Sequence, residues 1–244
     1  MKVKIHYTLY IFFLLSFFCN LFIETIIMFA LLLVHELGHL IFLIKYKREI
    51  TSITFYPFGG IIKHSNNCNS ELKEDFFIYF GGVFMNIILL FVFNILNLEL
   101  FNILNCGIII FNILPIFPLD GAKILKTIIS TIICYKKTLY LTLFISISSI
   151  VLLILFNFYY IKSIYLYLLI ISLIKMNFDY FKNIKKEYKI FLTNKYIYYN
   201  DKLKTKEIKR FKNPVNKLFI GRNNLFILDE LKIKEEEILR TIFT

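Results

Sequence analysis

The chain has no tryptophan, four prolines, eight glycines and four cysteines in 244 residues, and only 19% of it is charged. So little glycine and proline excludes a collagen-like or low-complexity chain. Cys19, Cys68, Cys106 and Cys134 form no CxxC pair, and three lie in apolar stretches. That excludes a zinc ribbon or disulfide framework and leaves them as small hydrophobes. The shortage of charge excludes an ordinary soluble domain, and disorder is excluded because it needs low hydrophobicity. Acidic residues are scarcest: 17 against 29 basic ones, for a net charge of +12. What fills the space is apolar, 58% of all residues. That composition belongs in a membrane.

The charges are also unevenly placed. Between Ile5 and Ile44 there is no Lys or Arg, and Glu24 and Glu36 are the only acidic residues. Forty residues is twice the ~20 that cross a bilayer, so this stretch reads as two spans turning near Asn20–Glu24. Its length and the lack of a small-residue cleavage site exclude a signal peptide. Further apolar stretches run near 76–98, 100–118, 139–160 and 163–178. The reading is an all-α polytopic membrane protein of about six transmembrane helices. Basic residues supply the orientation: all but Lys162 of the 29 fall before the first span, after the sixth, or in loops on the same side. The positive-inside rule makes that side, with both termini, cytosolic.

Two regions do not span. Residues 50–62, ITSITFYPFGGII, combine β-branched and aromatic residues with a Gly-Gly pair. They read as a short β-like membrane-associated loop of strand–turn–strand form. Residues 1–178 then form the membrane domain, and 179–244 a small α+β cytosolic tail. In that tail Thr205–Lys212 reads as a short helix, Lys217–Ile220 and Leu225–Leu228 as strands pairing across Gly221–Asn224, and Ile233–Phe243 as an amphipathic helix. The tail has sixteen basic and nine acidic residues. This suits a face beside an anionic leaflet, and no RNA-binding motif accompanies it, so nucleic acid is not expected as a partner.

The second span contains Val34-His35-Glu36-Leu37-Gly38-His39. Histidines at i and i+4 share one helix face and can grip one metal ion, with the intervening glutamate beside it as a proton acceptor. Ionisable groups inside a span are costly and mark function. A catalytic zinc site takes a third protein ligand. Span four ends in Asn112-Ile-Leu-Pro115-Ile-Phe-Pro118-Leu-Asp120-Gly121, where two prolines break the helix and Asp120 is the only acid. Depth agrees. Lys45 follows His39 by six residues, about 9 Å of helix, and Lys123 follows Asp120 by three. The alternative for Asp120 is an N-cap of the next helix. The alternative for the whole cluster is a metal-ion transporter that uses the same His and Asp groups as a relay.

HELGH on one span and NILPIFPLDG on a later one resemble the site-2 protease family (peptidase family M50) of intramembrane zinc metalloproteases. KIHY near the start, YPFGGII at 56–62 and GGVFMN at 81–86 are most similar to its sporulation branch, which processes sigma-factor precursors. The resemblance implies zinc held by His35, His39 and Asp120, with Glu36 as general base. It implies substrate contacts from Asn112, or a role there in stabilising the oxyanion, and from Gly59, Gly60 and Asn86. Interhelical bonding is the alternative for Asn112, and an ordinary hairpin turn for Gly59–Gly60. The implied substrate is a membrane-associated protein, with an inhibitory membrane partner and homo-oligomerisation left open. Val83 departs from the proline that relatives often carry after Gly-Gly. The tail has room for one shortened CBS-like module, the nucleotide-responsive unit of the sporulation enzymes.

Overall fold

The computed structural model describes residues 2–56, 59–64, 72–197, 205–208, 218–220, 223–228 and 231–243. The described residues are mostly helical, with two small sheets. It divides into two compact units.

The first unit begins with strand β1 (Lys2–Ile5) and helix α1 (Tyr7–Phe18), which His6 caps by accepting the Thr8 N–H on its imidazole. Asn20 takes a left-handed φ of 56° and turns the chain into helix α2 (Phe22–Lys45). The turn expected near Asn20 is therefore present. Asn is one of the few residues that tolerates this conformation, because its short polar side chain bonds locally. Glu24 lies in the first turn of α2 and Lys45 in the last, each opposite in sign to the dipole end it faces. Strands β2 (Ile50–Tyr56) and β3 (Gly59–His64) follow and pair antiparallel, while β1 joins β2 in parallel to give the order β1-β2-β3. The expected strand–turn–strand is thus a real sheet. Gly59 and Gly60 open β3, and Gly59 has φ 137°, which L side chains rarely adopt.

Helix α3 (Leu72–Ile95) packs on α2 where Gly38 meets Gly81: a Cβ on Gly38 would strike the Gly81 carbonyl. Small residues let the two backbones approach. Helix α4 (Glu99–Ile113) ends at Leu114, just before the two prolines.

Most of helix α5 (Asp120–Ile132), helix α6 (Tyr135–Phe156) and helix α7 (Ile164–Ile197) belong to the second unit. A five-residue π-turn at Asn157–Ile161 ends α6, and Lys162 reverses the chain with φ 54°. Asn157 braces this reversal by bonding both the N–H and the carbonyl of Ser163, each at 3.1 Å. The backbone freed by Pro115 and Pro118 is also satisfied here. Ser146 Oγ accepts the Phe117 N–H at 2.8 Å, and Asn177 Nδ2 donates to the Phe117 carbonyl at 2.7 Å. Ser146 Oγ completes the triangle by donating to Asn177 Oδ1 at 2.6 Å. Tyr135, Leu139, Leu143, Tyr180, Ile184, Phe191, Leu192, Leu218 and Leu239 form this unit's core.

Among the described residues, three helices are long and apolar enough to cross a membrane: Phe22–Lys45, Leu72–Ile95 and Tyr135–Ile161. The chain is an integral membrane protein. Tyr7–Phe18 and Glu99–Ile113 are apolar but shorter, at 12 and 15 residues. At 1.5 Å per residue they reach about 18 and 22 Å, less than the ~30 Å hydrocarbon core. The expected boundary after residue 178 falls inside α7, which runs unbroken for 34 residues.

The tail departs from its sequence reading in two places. Thr205–Ile208, expected to open a helix, is strand β4, which pairs in parallel with β5 (Asn223–Leu228). The helix reading missed this because the strand's partner lies eighteen residues away, beyond any local periodicity. Leu225–Leu228 is a strand as expected, but its antiparallel partner is β6 (Leu231–Lys234) and not the segment ending at Ile220. Leu218 and Phe219 instead leave strand geometry and are buried, Leu218 within the core. Helix α8 (Glu235–Phe243) closes the chain much as expected. Residues 209–217, and with them the rest of that expected helix, lie outside the described residues.

Candidate metal centre

All the chemistry-bearing residues expected from the sequence lie in the first unit. The i, i+4 spacing on α2 puts His35 and His39 one turn apart, with ring centroids 4.9 Å from each other. Asp120, the first residue of α5, brings its carboxylate to both. Asp120 Oδ2 lies 2.9 Å from His35 Nε2 and 2.9 Å from His39 Nε2, and the two Nε2 atoms are 3.2 Å apart. All three residues are buried. The structure therefore brings together His35, His39 and Asp120 as a group able to hold a metal ion.

Whether a metal fits can be judged from donors and spacing. His39 Nδ1 donates to the Ile78 carbonyl at 2.7 Å, since a carbonyl can only accept. In the neutral imidazole, Nε2 then keeps its lone pair and faces a carboxylate oxygen, which also carries lone pairs. Acceptors facing acceptors at 2.9 Å repel unless a cation sits among them. Zinc bonded at about 2.0–2.1 Å in a tetrahedron separates its ligands by about 3.3 Å, close to the spacings observed. Gly82 on α3 keeps the place open, because a Cβ there would strike Nε2 of both histidines. Two imidazoles and a carboxylate are a zinc donor set, and these residues fit it.

Glu36 is buried between the two histidines in sequence and reaches the sheet. Its Oε1 accepts the Gly60 N–H at 2.6 Å, whereas Oε2 has no partner among the described residues. The absence of a side chain at Gly60 matters here, since a Cβ would collide with the Glu36 carboxylate. Gly59 lies beside the same oxygen, at 3.4 Å from where its own Cβ would stand. Asn112 is buried on α4 and donates from Nδ2 to the Ile108 carbonyl of its own helix at 3.0 Å. Asn86 on α3 is completely buried.

Two contributors escaped the sequence reading. Gly82 and the Ile78 carbonyl shape the centre from α3, and they stand one turn apart on one face of that helix. Adjacent glycines in mid-span were the visible signal for Gly82. Nothing in the sequence could mark a main-chain carbonyl.

The fold and site define a class: a helical membrane protein built around a buried His₂Asp metal centre with a glutamate beside it. Residues 23–100 match the family model of peptidase family M50. Over 116 residues, 44% of this chain, the sequence is 30% identical to stage IV sporulation protein FB of Bacillus subtilis. A Synechocystis sp. protein whose name proposes a zinc metalloprotease is 27% identical over 119 residues, again 44% of this chain. The chain covers 40% and 31% of those relatives' lengths. The site-2 protease from Methanocaldococcus jannaschii superposes with a TM-score of 0.61 at 24% identity, covering 73% of this chain and 91% of that one. That likeness shows the shared fold. Residues 23–100, about a third of the chain, are thus similar to peptidase family M50, and the fold is that of a site-2 protease.

Proposed function

We propose that the protein is an intramembrane zinc metalloprotease that hydrolyses a peptide bond of a membrane-associated protein. The observation that carries this reading is the convergence of His35, His39 and Asp120 within hydrogen-bonding distance of one another, with Glu36 one residue from His35. Zinc bound there supplies Lewis-acid polarisation of the scissile carbonyl and of the attacking water. His35, His39 and Asp120 hold it, and the His39–Ile78 bond fixes one ring's orientation and tautomer.

Glu36 takes the proton from the attacking water and returns it to the leaving amide nitrogen. The two carboxylate oxygens divide the work. Oε1 is held by Gly60, and Oε2 is the free oxygen that carries the proton. The substrate presents an extended segment, because a helical peptide bond is shielded by its own turns. Strand β3 is an edge of its sheet and opens beside Glu36, so strand addition would deliver an extended chain next to the base. Asn112 is the proposed polar contact for the substrate or its oxyanion.

The finer proposals follow the charge pattern and the curated likeness. The chain crosses the membrane about six times with both termini cytosolic. Its substrate is a membrane-tethered sigma-factor precursor of the sporulation type. The tail, β4-β5-β6 followed by α8, is proposed to be a single shortened CBS-like module contacting the soluble part of the substrate. No observation favours the transporter alternative. Co-expression with such a precursor tests the reading: wild type should release the processed form and Glu36→Gln should not. Processing by Glu36→Gln at the wild-type rate would overturn it.

A further inference from the structure

Asn86 on α3 and Asn105 on α4 have no exposed surface. Asn105 Nδ2 donates to the Asn86 main-chain carbonyl at 2.7 Å, which fixes the Asn105 amide with its oxygen turned away from that bond. Three polar atoms of the pair then have no partner among the described residues: Asn86 Nδ2, Asn86 Oδ1 and Asn105 Oδ1. Around this level of the helices the neighbours are apolar, with Leu31, Leu32 and Ile108 clustering with Leu89 and Leu104. A buried amide without partners in such surroundings is costly, and native proteins satisfy it with another side chain or with ordered water. Both side chains belong to helices, and no described residue supplies the missing partner.

We propose that Asn86 and Asn105 form a buried water site that keeps hydrolytic water beside the metal centre. One donor and two acceptors are what a single water satisfies, through its lone pair and its two O–H groups. About three hydrogen bonds is also the usual complement of a buried water. A metal ion is a poor fit, because the pair supplies no anionic ligand to offset its desolvation. The position suits the purpose. Asn86 lies four residues beyond Gly82 on the same face of α3, about 6 Å along the axis, and Gly82 abuts the Nε2 atoms of His35 and His39. The role in feeding hydrolysis rests on the protease reading above, whereas the water site itself does not.

The test is short-pulse X-ray hydroxyl-radical footprinting of the full chain in nanodiscs, in isotope-labelled water. Val83 and Ile108, one turn from Asn86 and Asn105 and both buried, report the site. Bound water should label both despite their burial, and Asn105→Leu should lose the labelling while keeping stoichiometric zinc. Absence of labelling in wild type would overturn the water site, with no variant needed. Unchanged labelling in Asn105→Leu would remove these asparagines from it. The feeding role is read from kinetics: Asn86→Leu should lower kcat and leave KM unchanged. A raised KM with unchanged kcat would overturn that role in favour of direct substrate contact by Asn86.

Discussion

Two buried ionic clusters among the described residues differ in charge balance. In the second unit, Lys195 and Glu235 are almost wholly buried, with Nζ 2.6 Å from Oε1. The Lys195 ammonium also donates to the Phe219 carbonyl at 2.6 Å, and Glu235 Oε2 accepts the N–H of Asn224 at 2.8 Å and its Nδ2 at 2.5 Å. Opposite charges cancel, although Asn224 Oδ1 has no hydrogen-bond partner among the described residues. In the first unit, His39 Nε2 and Asp120 Oδ2 bring lone pair against lone pair, and Glu36 keeps one oxygen without a partner among the described residues. The first arrangement is charge-balanced without a ligand and holds the tail to α7. The second gathers acceptors that suit a cation. A buried cluster rich in acceptors suits a cation, whereas a charge-balanced pair suits a structural tie.

Four single substitutions and one paired change would break or sharpen this contrast, beginning with the largest effect. Glu36→Gln removes the proton acceptor and should cut turnover by about 10²–10⁴-fold while zinc content, measured by elemental analysis, stays stoichiometric. Loss of zinc in that variant would move Glu36 from base to ligand. Glu235→Ala leaves a buried ammonium without its partner and should cost about 3–5 kcal/mol in thermal denaturation of the purified protein. Zinc binding should be unaffected. The paired change Lys195→Met with Glu235→Leu should recover part of that loss, because apolar residues of similar volume replace a buried ion pair without leaving an uncompensated charge. If the double variant is as unstable as the single one, the pair does more than fill space.

Gly82→Ala should weaken zinc affinity by about 10–100-fold, the range for disturbing ligand support, as read by competition with a chelator. Full affinity there would mean that the histidines move aside. Gly60→Ala is the mildest. Displacing the Glu36 carboxylate should reduce kcat by about tenfold, roughly 1.4 kcal/mol, with zinc retained. An unchanged kcat would show that the hydrogen bond from β3 does not orient the base.

Much of the metal centre was legible in the residue order because its first half is local. Helical period alone brings His35, Glu36 and His39 together, and two prolines announce an interrupted segment before Asp120. The 50–62 hairpin was equally visible from its β-branched residues and Gly-Gly pair. The tail was less so. Its strands pair 205–208 with 223–226 in parallel, a non-local contact that periodicity cannot specify. Helix lengths also escaped, because an apolar run does not say where hydrogen bonding stops: 100–118 reads as one span, yet α4 ends at Ile113.

Taken by itself, the sequence determined that this is a membrane chain and that α2 carries two histidines one turn apart around a glutamate. These follow from composition and from the 3.6-residue period, both properties of short stretches. Only the tertiary structure decided that a carboxylate 85 positions beyond His35 would close on it at 2.9 Å, that Gly82 would leave the space, and that Gly60 would hold one oxygen of Glu36. Those contacts depend on helix packing and sheet register, where residues distant along the chain meet and no local rule operates. The scarcity of charge that first marked this as a membrane protein is also why the few buried charges it retains are informative.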